Sequence, residues 1–191
     1  MTQGVQATSS RDARKRILVA AARLFRAQGI VATQMEAVAT AAPVSKRTLY
    51  KHFPDKFALI QAYLQERDRQ MFGVQLASEQ DAREQILGLF TPTGTDRPIA
   101  TCPFIAASTE FPEPQSEPHR AAVLHKQEFE KRLQHLAAGA GVEDPEGVGT
   151  LISLLYDGAI SRSQTLNDRR PLEAARRHVA VLLGATAGAE S

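Results

Sequence analysis

The fold is decided by the stretch Val44-Ser45-Lys46-Arg47-Thr48-Leu49-Tyr50-Lys51-His52-Phe53-Pro54-Asp55-Lys56. Ser45 is a favoured helix N-cap, so the sequence predicts a short third helix over residues 46–52. Pro54 and Asp55 then open a long fourth helix. Side chains of the short helix are expected to divide by polarity, with Leu49, Tyr50 and the following Phe53 inward, and Lys46, Arg47, Thr48 and Lys51 outward.

Two further helices are predicted before this stretch. Between residues 12 and 28 apolar residues recur at three- and four-residue steps, which is typical of an amphipathic helix that Gly29 is placed to end. Thr33 can cap a second short helix, with Glu36 completing a capping box. Pro43 ends that helix and is expected to hold φ at about −65°.

The rest of the sequence also predicts helices. They cover residues 81–90, 118–138, 145–165 and 171–183, and residues 91–98 are predicted to form a loop. Residues 102–111 are apolar and short enough for a buried helix or a buried strand, and a helix is preferred because no pairing strand lies nearby. The predicted fold class is all-α.

Composition limits the classes of protein that fit. Residues 1–56 hold ten lysine or arginine residues against three acidic ones, whereas the remainder holds 13 against 18. This split favours a module that meets a polyanion at one end, although solvated surface lysines would give the same count. A single cysteine excludes an internal disulfide and fits a cytoplasmic location. The sequence predicts no export signal and no membrane segment.

The predicted second and third helices have the geometry of a helix-turn-helix. A short helix with a polar, basic face fits the major groove, which is about 12 Å wide. Arg47 is expected to read guanine, lysines to contact phosphate, Thr48 to contact a base edge or phosphate, and Tyr50 or His52 a phosphate. The candidate DNA-binding residues are Thr33, Ser45, Lys46, Arg47, Thr48, Tyr50, Lys51, His52 and Lys56.

Residues 44–59, together with residues 17–29, 32–33 and 38–39, resemble the core of the TetR family of bacterial transcriptional regulators. The resemblance covers about residues 12–64. It implies a dimeric, all-helical repressor with an N-terminal three-helix DNA-binding domain. The chain departs from the family pattern at Pro43, where glycine is usual, so the operator sequence cannot be carried over.

A looser resemblance covers residues 101–111 and 157–160, which are similar to a C-terminal domain type of one subgroup of these regulators. It implies middle helices around a cavity and a four-helix dimer interface. The helix over residues 148–160 is apolar around much of its circumference, which independently favours a partner, with burial inside one chain as the alternative. The candidate interface residues are Leu151, Leu155, Ile160, Val179 and Leu182.

Apolar and aromatic residues with a few polar atoms are the usual lining of a small-molecule site. The candidate pocket residues are Phe90, Cys102, Phe104, Ile105, Phe111, Phe129 and Tyr156. Cys102 is interpreted as a buried, unreactive cysteine because no basic residue adjoins it in the sequence. His119, His125 and His135 lack the spacing of a shared metal site and are expected at the surface or as caps, so no metal and no cofactor are predicted.

The predicted organisation is a flexible arm (1–11), a helix-turn-helix DNA-binding domain (12–56) and a helical ligand-binding and dimerisation domain (57–191). The expected function is a ligand-responsive repressor that binds a palindromic operator as a homodimer and is released by an unidentified small molecule. A helical adaptor with weakened DNA binding is the alternative, because of Pro43. An enzyme is disfavoured, since the sequence has no nucleophile turn, phosphate loop or metal motif.

Overall fold

The computed structural model describes the backbone of residues 2–72, 81–91 and 101–184, with side chains from residue 12 onwards. All regular elements within these residues are helices, which confirms the all-α fold class. Most of the predicted loop, residues 92–98, lies outside the described residues. The helices are α1 (Thr2–Gln28), α2 (Met35–Ala41), α3 (Lys46–His52), α4 (Lys56–Gln70), α5 (Ala82–Leu89), α6 (Pro103–Glu110), α7 (Glu117–Gly139), α8 (Pro145–Leu166) and α9 (Arg170–Leu182).

The chain divides into two compact units at a different place from the sequence prediction. Unit 1 comprises residues 1–67 and 103–122, and unit 2 comprises residues 68–102 and 123–191. The expected boundary after residue 56 falls just inside the N-terminus of α4, which continues through unit 1. Helix α6, which was assigned by sequence to the second domain, belongs to unit 1 together with α1, α2 and α3.

The core of unit 1 is built from the apolar faces of its first four helices. Ile17, Phe25, Leu49 and Tyr63 are all buried. The rings of Phe25 and Tyr63 meet edge to face with their centroids 5.2 Å apart, so α1 is held against α4. Burial of a side chain of this size stabilises a fold by about 1.5–3 kcal/mol. The buried Leu49 therefore anchors α3 in the core of unit 1.

Two expectations for the N-terminal region are wrong. Residues 2–11, predicted as a flexible arm, are the first turns of α1. The N-cap of α2 is Gln34 without a side-chain cap bond, not Thr33. The Thr33 hydroxyl instead donates to the carbonyl oxygen of Gly29 at 2.7 Å, because the turn after α1 brings that carbonyl within reach.

The core of unit 2 lies between α5, α7, α8 and α9, and its largest buried side chains include Phe90, Phe129 and Ile152. Asp144 caps α8 by accepting a hydrogen bond from the N–H of Gly147 at 2.9 Å. Gly149 permits close packing of α8 on α7, since a Cβ there would lie 2.6 Å from the Cα of Gln134. The sequence boundaries predicted for these helices agree with the structure within about two residues.

The segment with two possible assignments forms a helix. Residues 103–110 are α6, so the preferred assignment is confirmed and the strand alternative is wrong. Phe104 and Ala107, at a three-residue step, give this helix its buried side. No helix within the described part of the chain is long and apolar enough to span a bilayer.

Candidate nucleic-acid interface

Helices α2 and α3 and the turn between them form the helix-turn-helix. The turn contains Pro43 at φ 23°, so the expected value of about −65° is wrong. Positive φ is a conformation that side-chain-bearing residues rarely adopt. The turn nevertheless forms, and α3 begins at Lys46 as the sequence predicted.

The start of α3 is fixed by hydroxyl groups. The Oγ of Ser45 accepts a hydrogen bond from the backbone N–H of Thr48 at 3.1 Å, which confirms Ser45 as the N-cap. The two hydroxyl oxygens, Ser45 Oγ and Thr48 Oγ1, also lie 2.8 Å apart. Both proposed DNA contacts therefore have a structural role at the N-terminus of α3.

One face of α3 is open to solvent. Lys46, Arg47, Tyr50 and Lys51 are exposed, and their spacing places them on one side of the helix, opposite the fully buried Leu49. Tyr50 was expected to face inward, but 43% of its surface is exposed. It points outward because Leu49 and Phe53, four residues apart, already fill the inner side of the helix.

Lys46 forms an ion pair, whereas Arg47 forms none with the residues that the structure describes. The Nζ of Lys46 lies 3.3 Å from Oε1 of Glu36 on α2. The pKa of Glu36 is lowered, first by a hydrogen bond from its own backbone N–H and then by Lys46. Arg47 has no hydrogen bond or ion pair to the part of the chain that the structure describes, so its guanidinium is available to a ligand.

His52 lies at the C-terminal end of this face beside two cations. Burial lowers its pKa most, and the charges of Lys51 and Arg14 lower it further. The guanidinium of Arg14 lies 5.4 Å from the centre of the Phe53 ring, a cation–π contact between α1 and the end of α3. Sequence reasoning missed Arg14 because helical periodicity in α1 does not say which neighbour a polar residue meets.

Two candidate DNA-binding residues face the protein instead. Thr33 is 1% exposed and its hydroxyl is satisfied by Gly29 and Gln28, so it has no group available to contact DNA. Lys56 is half-buried, and its Nζ donates to the carbonyl oxygen of Val31 at 2.6 Å. Burial lowers the pKa of Lys56, and nearby Glu110 opposes this shift.

The candidate pocket residues do not share one unit. Phe104, Ile105 and Phe111 lie in unit 1, whereas Phe90, Cys102, Phe129 and Tyr156 lie in unit 2. In unit 2 the Tyr156 ring meets Phe90 at 5.6 Å and Phe129 at 5.3 Å between centroids. These three aromatic residues, which we call the aromatic cluster, are the part of the predicted pocket that the structure brings together.

A histidine that the sequence predicted to lie at the surface or to act as a helix cap is buried beside the aromatic cluster. His125 is 4% exposed, its ring is stacked on Phe129, and its Nδ1 lies 2.5 Å from Oδ1 of Asp68. Asp68 is 57 residues away in sequence, so no local pattern indicated the pair. Cys102 is half-buried, not buried. Among the described residues no three histidine, cysteine or acidic side chains are grouped as a metal site requires.

The candidate interface residues differ in exposure. Leu151 on α8 is exposed, and Leu155, Ile160 and Leu182 are half-buried. Val179 is fully buried inside unit 2, so it has no surface for a partner, contrary to the sequence prediction. The sequence analysis missed the two most exposed apolar side chains of these helices, Leu154 at 66% and Val181 at 64%.

Comparisons with known proteins extend over most of the chain. Residues 17–63 match the family described as "Bacterial regulatory proteins, tetR family". The chain is 26% identical over 171 residues to the HTH-type transcriptional regulator YjdC of Escherichia coli (strain K12), with 86% of this chain and 90% of that protein covered. It is 28% identical to the HTH-type transcriptional regulator YxaF of Bacillus subtilis (strain 168), with 92% and 97% covered. Its fold is similar to that of SCO4454, a TetR-family transcriptional regulator from Streptomyces coelicolor, with a TM-score of 0.75 at 29% identity and coverage of 91% and 95%.

Proposed function

Because this chain belongs to the tetR family of bacterial regulatory proteins, we propose that it is a homodimeric repressor that binds a palindromic operator and is released by a small-molecule effector. The observation that carries the proposal is the open face of α3. Lys46, Arg47, Tyr50 and Lys51 project from it while Leu49 anchors the helix in the core. A recognition helix needs this combination of a rigid inner side and a polar outer side.

Each exposed side chain of α3 has a role in the proposed complex. Arg47, which is unpaired among the described residues, forms the bidentate contact to guanine that its planar guanidinium favours. Lys51 contacts phosphate, and the Tyr50 hydroxyl donates to a phosphate oxygen. Lys46 already has Glu36 as a partner, so it contacts phosphate only if that ion pair opens.

The proposed dimer interface is the exposed apolar surface of α8 and α9. Leu151, Leu154 and Val181 are exposed in the single chain and give these two helices an apolar surface that water solvates poorly. Members of the family act as dimers. A two-fold dimer places two recognition helices about 34 Å apart, the spacing of successive major-groove faces.

The proposed effector site adjoins the aromatic cluster in unit 2. The edge-to-face contact of Phe90 with Tyr156 and the tilted contact of Phe129 with Tyr156 bring apolar groups together, and the nearby His125–Asp68 pair offers polar groups. We propose that effector binding there shifts α4, which contributes residues to both units, and that operator affinity then falls. The proposal assigns no catalytic step and no cofactor, and it places the protein in the cytoplasm with the DNA.

The test is a salt titration of operator binding. Duplexes are selected from a random library by the full-length protein, and each is then measured against unselected duplex. The proposal expects enrichment of a palindrome and an affinity for it at least about 1,000-fold above random duplex. Failure to enrich any sequence would refute the repressor proposal. It would favour the adaptor alternative, in which Pro43 weakens DNA binding by the helix-turn-helix.

A further inference from the structure

The last residue of α6 binds the turn between α1 and α2. Oε1 of Glu110 accepts a hydrogen bond from the N–H of Ile30 at 2.9 Å, and Oε2 accepts one from the N–H of Val31 at 2.7 Å. Successive backbone N–H groups that follow a left-handed residue form an anion-binding nest. Here the anion is a carboxylate of the same chain, about 80 residues away in sequence. Hydrogen bonds to a charged acceptor are stronger than neutral ones.

The turn is shaped to accept this carboxylate. Gly29 has φ 90°, a conformation that glycine adopts without strain. A Cβ at Gly29 would lie 3.3 Å from Oε2 of Glu110, so a larger residue would crowd the carboxylate. Glycine at this position therefore suits both the backbone geometry and the close approach of Glu110.

A lysine at the start of α4 holds the same turn from its carbonyl side. Lys56 donates to the carbonyl oxygen of Val31, while Glu110 accepts from the N–H of that residue. The residues that follow these two in sequence also meet, because the rings of Phe57 and Phe111 have centroids 6.0 Å apart. The start of α4, the end of α6 and the α1–α2 turn are thus joined by polar and apolar contacts.

The position of this turn bears on the recognition helix. The turn leads directly into α2, and α2 is linked to α3 by the Glu36–Lys46 ion pair. Helix α1 packs against both α2 and α3. Unit 1 contains α6 as well as these helices. A displacement of the carboxylate at the end of α6 would therefore act on the whole helix-turn-helix.

We propose that Glu110 is a positioning residue for DNA binding. Its carboxylate holds the α1–α2 turn, and with it α2 and α3, in the orientation that recognises the operator. An α6 that moves away releases two backbone N–H groups and lowers operator affinity. This inference rests on the proposed function, because it concerns recognition of an operator.

The first experiment compares Glu110→Gln with Glu113→Gln in the full-length protein. Glu113 is exposed just after α6 and its side chain has no described hydrogen bond, so its substitution removes the same charge without touching the turn. Loss of a negative charge alone favours binding to DNA. We expect Glu110→Gln to weaken binding to the selected operator about tenfold, as loss of a charged hydrogen bond would, and binding to random duplex to stay unchanged or to tighten.

The positioning role is tested by the direction in which operator affinity changes in Glu110→Gln. An operator affinity of Glu110→Gln equal to that of wild type or of Glu113→Gln would overturn the positioning role while leaving the repressor proposal intact. If the wild-type protein itself does not discriminate operator from random duplex, the repressor proposal fails and the inference falls with it. Glu110→Asp keeps the charge on a shorter side chain, and we expect it to lose operator affinity as Glu110→Gln does.

A second readout separates positioning from unfolding. Amide hydrogen exchange at Ile30 and Val31 should accelerate at least about tenfold in Glu110→Gln, since both amides lose a charged acceptor. The buried part of α1 around Ile17 should exchange as in wild type. Faster exchange throughout α1 would mean that the variant unfolds unit 1, and the positioning role would be rejected.

Discussion

The backbone N–H of Val44 donates to the carbonyl oxygen of Ala39 at 3.1 Å, and this bond closes the turn around Pro43. It is the outer bond of a Schellman motif, which ends a helix by placing the next residue in the left-handed region. Glycine is the usual residue there. Pro43, at φ 23°, occupies that position and has no N–H for the inner bond to Thr40.

We expect Pro43→Gly to raise the free energy of unfolding by about 1 kcal/mol, because it removes backbone strain and restores a donor. The change in the free energy of unfolding is measured by urea unfolding of the protein, monitored by hydrogen exchange of the amides of α2 and α3. Pro54→Gly is the control, since Pro54 has no positive φ and glycine there only enlarges the unfolded ensemble. A loss of stability in Pro43→Gly as large as in Pro54→Gly would show that the turn is not strained.

Two substitutions at the N-cap of α3 distinguish an effect on stability from an effect on DNA binding. Ser45→Ala should cost about 1 kcal/mol of stability because the N–H of Thr48 loses its acceptor. Ser45→Asp keeps an acceptor at the N-cap, so stability should remain near that of wild type, whereas its negative charge should repel phosphate and weaken operator binding. Thermal unfolding and operator affinity are measured for both variants. Equal stability of the alanine and wild-type proteins would contradict the capping role.

Substitution of Arg47 and substitution of Lys51 should affect DNA affinity and its salt dependence differently. Arg47→Ala removes the proposed contact to guanine, so operator binding should weaken by about 1–3 kcal/mol while binding to random duplex changes less. Lys51→Ala should weaken both kinds of binding and reduce the slope of log affinity against log salt by about 0.9. The measurement is affinity at several salt concentrations for both duplexes. Parallel losses in the two variants would refute the assigned roles.

His52 should make operator binding depend on pH. Its pKa in the free protein is lowered by burial and by two neighbouring cations, so the ring is neutral at pH 7. A phosphate would stabilise the protonated ring and raise the pKa in the complex. Affinity should therefore rise as the pH falls through the region below about 6.5, where complex formation takes up a proton. His52→Gln should abolish this rise, and an unchanged pH profile would place His52 away from phosphate.

The helices could be predicted from the sequence because their signals are local. Ser45 and Pro145 mark helix starts within a few residues of the groups they affect. The contacts that complete the candidate site join residues far apart in sequence, as Glu110 joins Val31 and His125 joins Asp68. Periodicity shows that a side chain is buried but does not identify its partner, so those pairs required the structure.

Val179 shows that the sequence pattern likewise does not identify which apolar residues lie at the proposed dimer interface. Its apolar character suited an interface, but the residue is fully buried in unit 2 by its own chain. Leu154, which the sequence analysis did not select, is the most exposed apolar side chain of α8. An apolar pattern around a helix therefore identifies candidates, and exposure in the folded chain selects among them.

Leu154→Glu should convert the dimer to a monomer, since it would bury an unpaired carboxylate in the proposed interface. Leu124→Glu on α7 is the matched control, because Leu124 is 64% exposed and lies outside the proposed interface. Sedimentation velocity should give a monomer for Leu154→Glu and a dimer for Leu124→Glu. The monomeric variant should also lose most operator affinity, because a single DNA-binding domain contacts only half of a palindrome. Dissociation by Leu124→Glu alone would move the interface to α7.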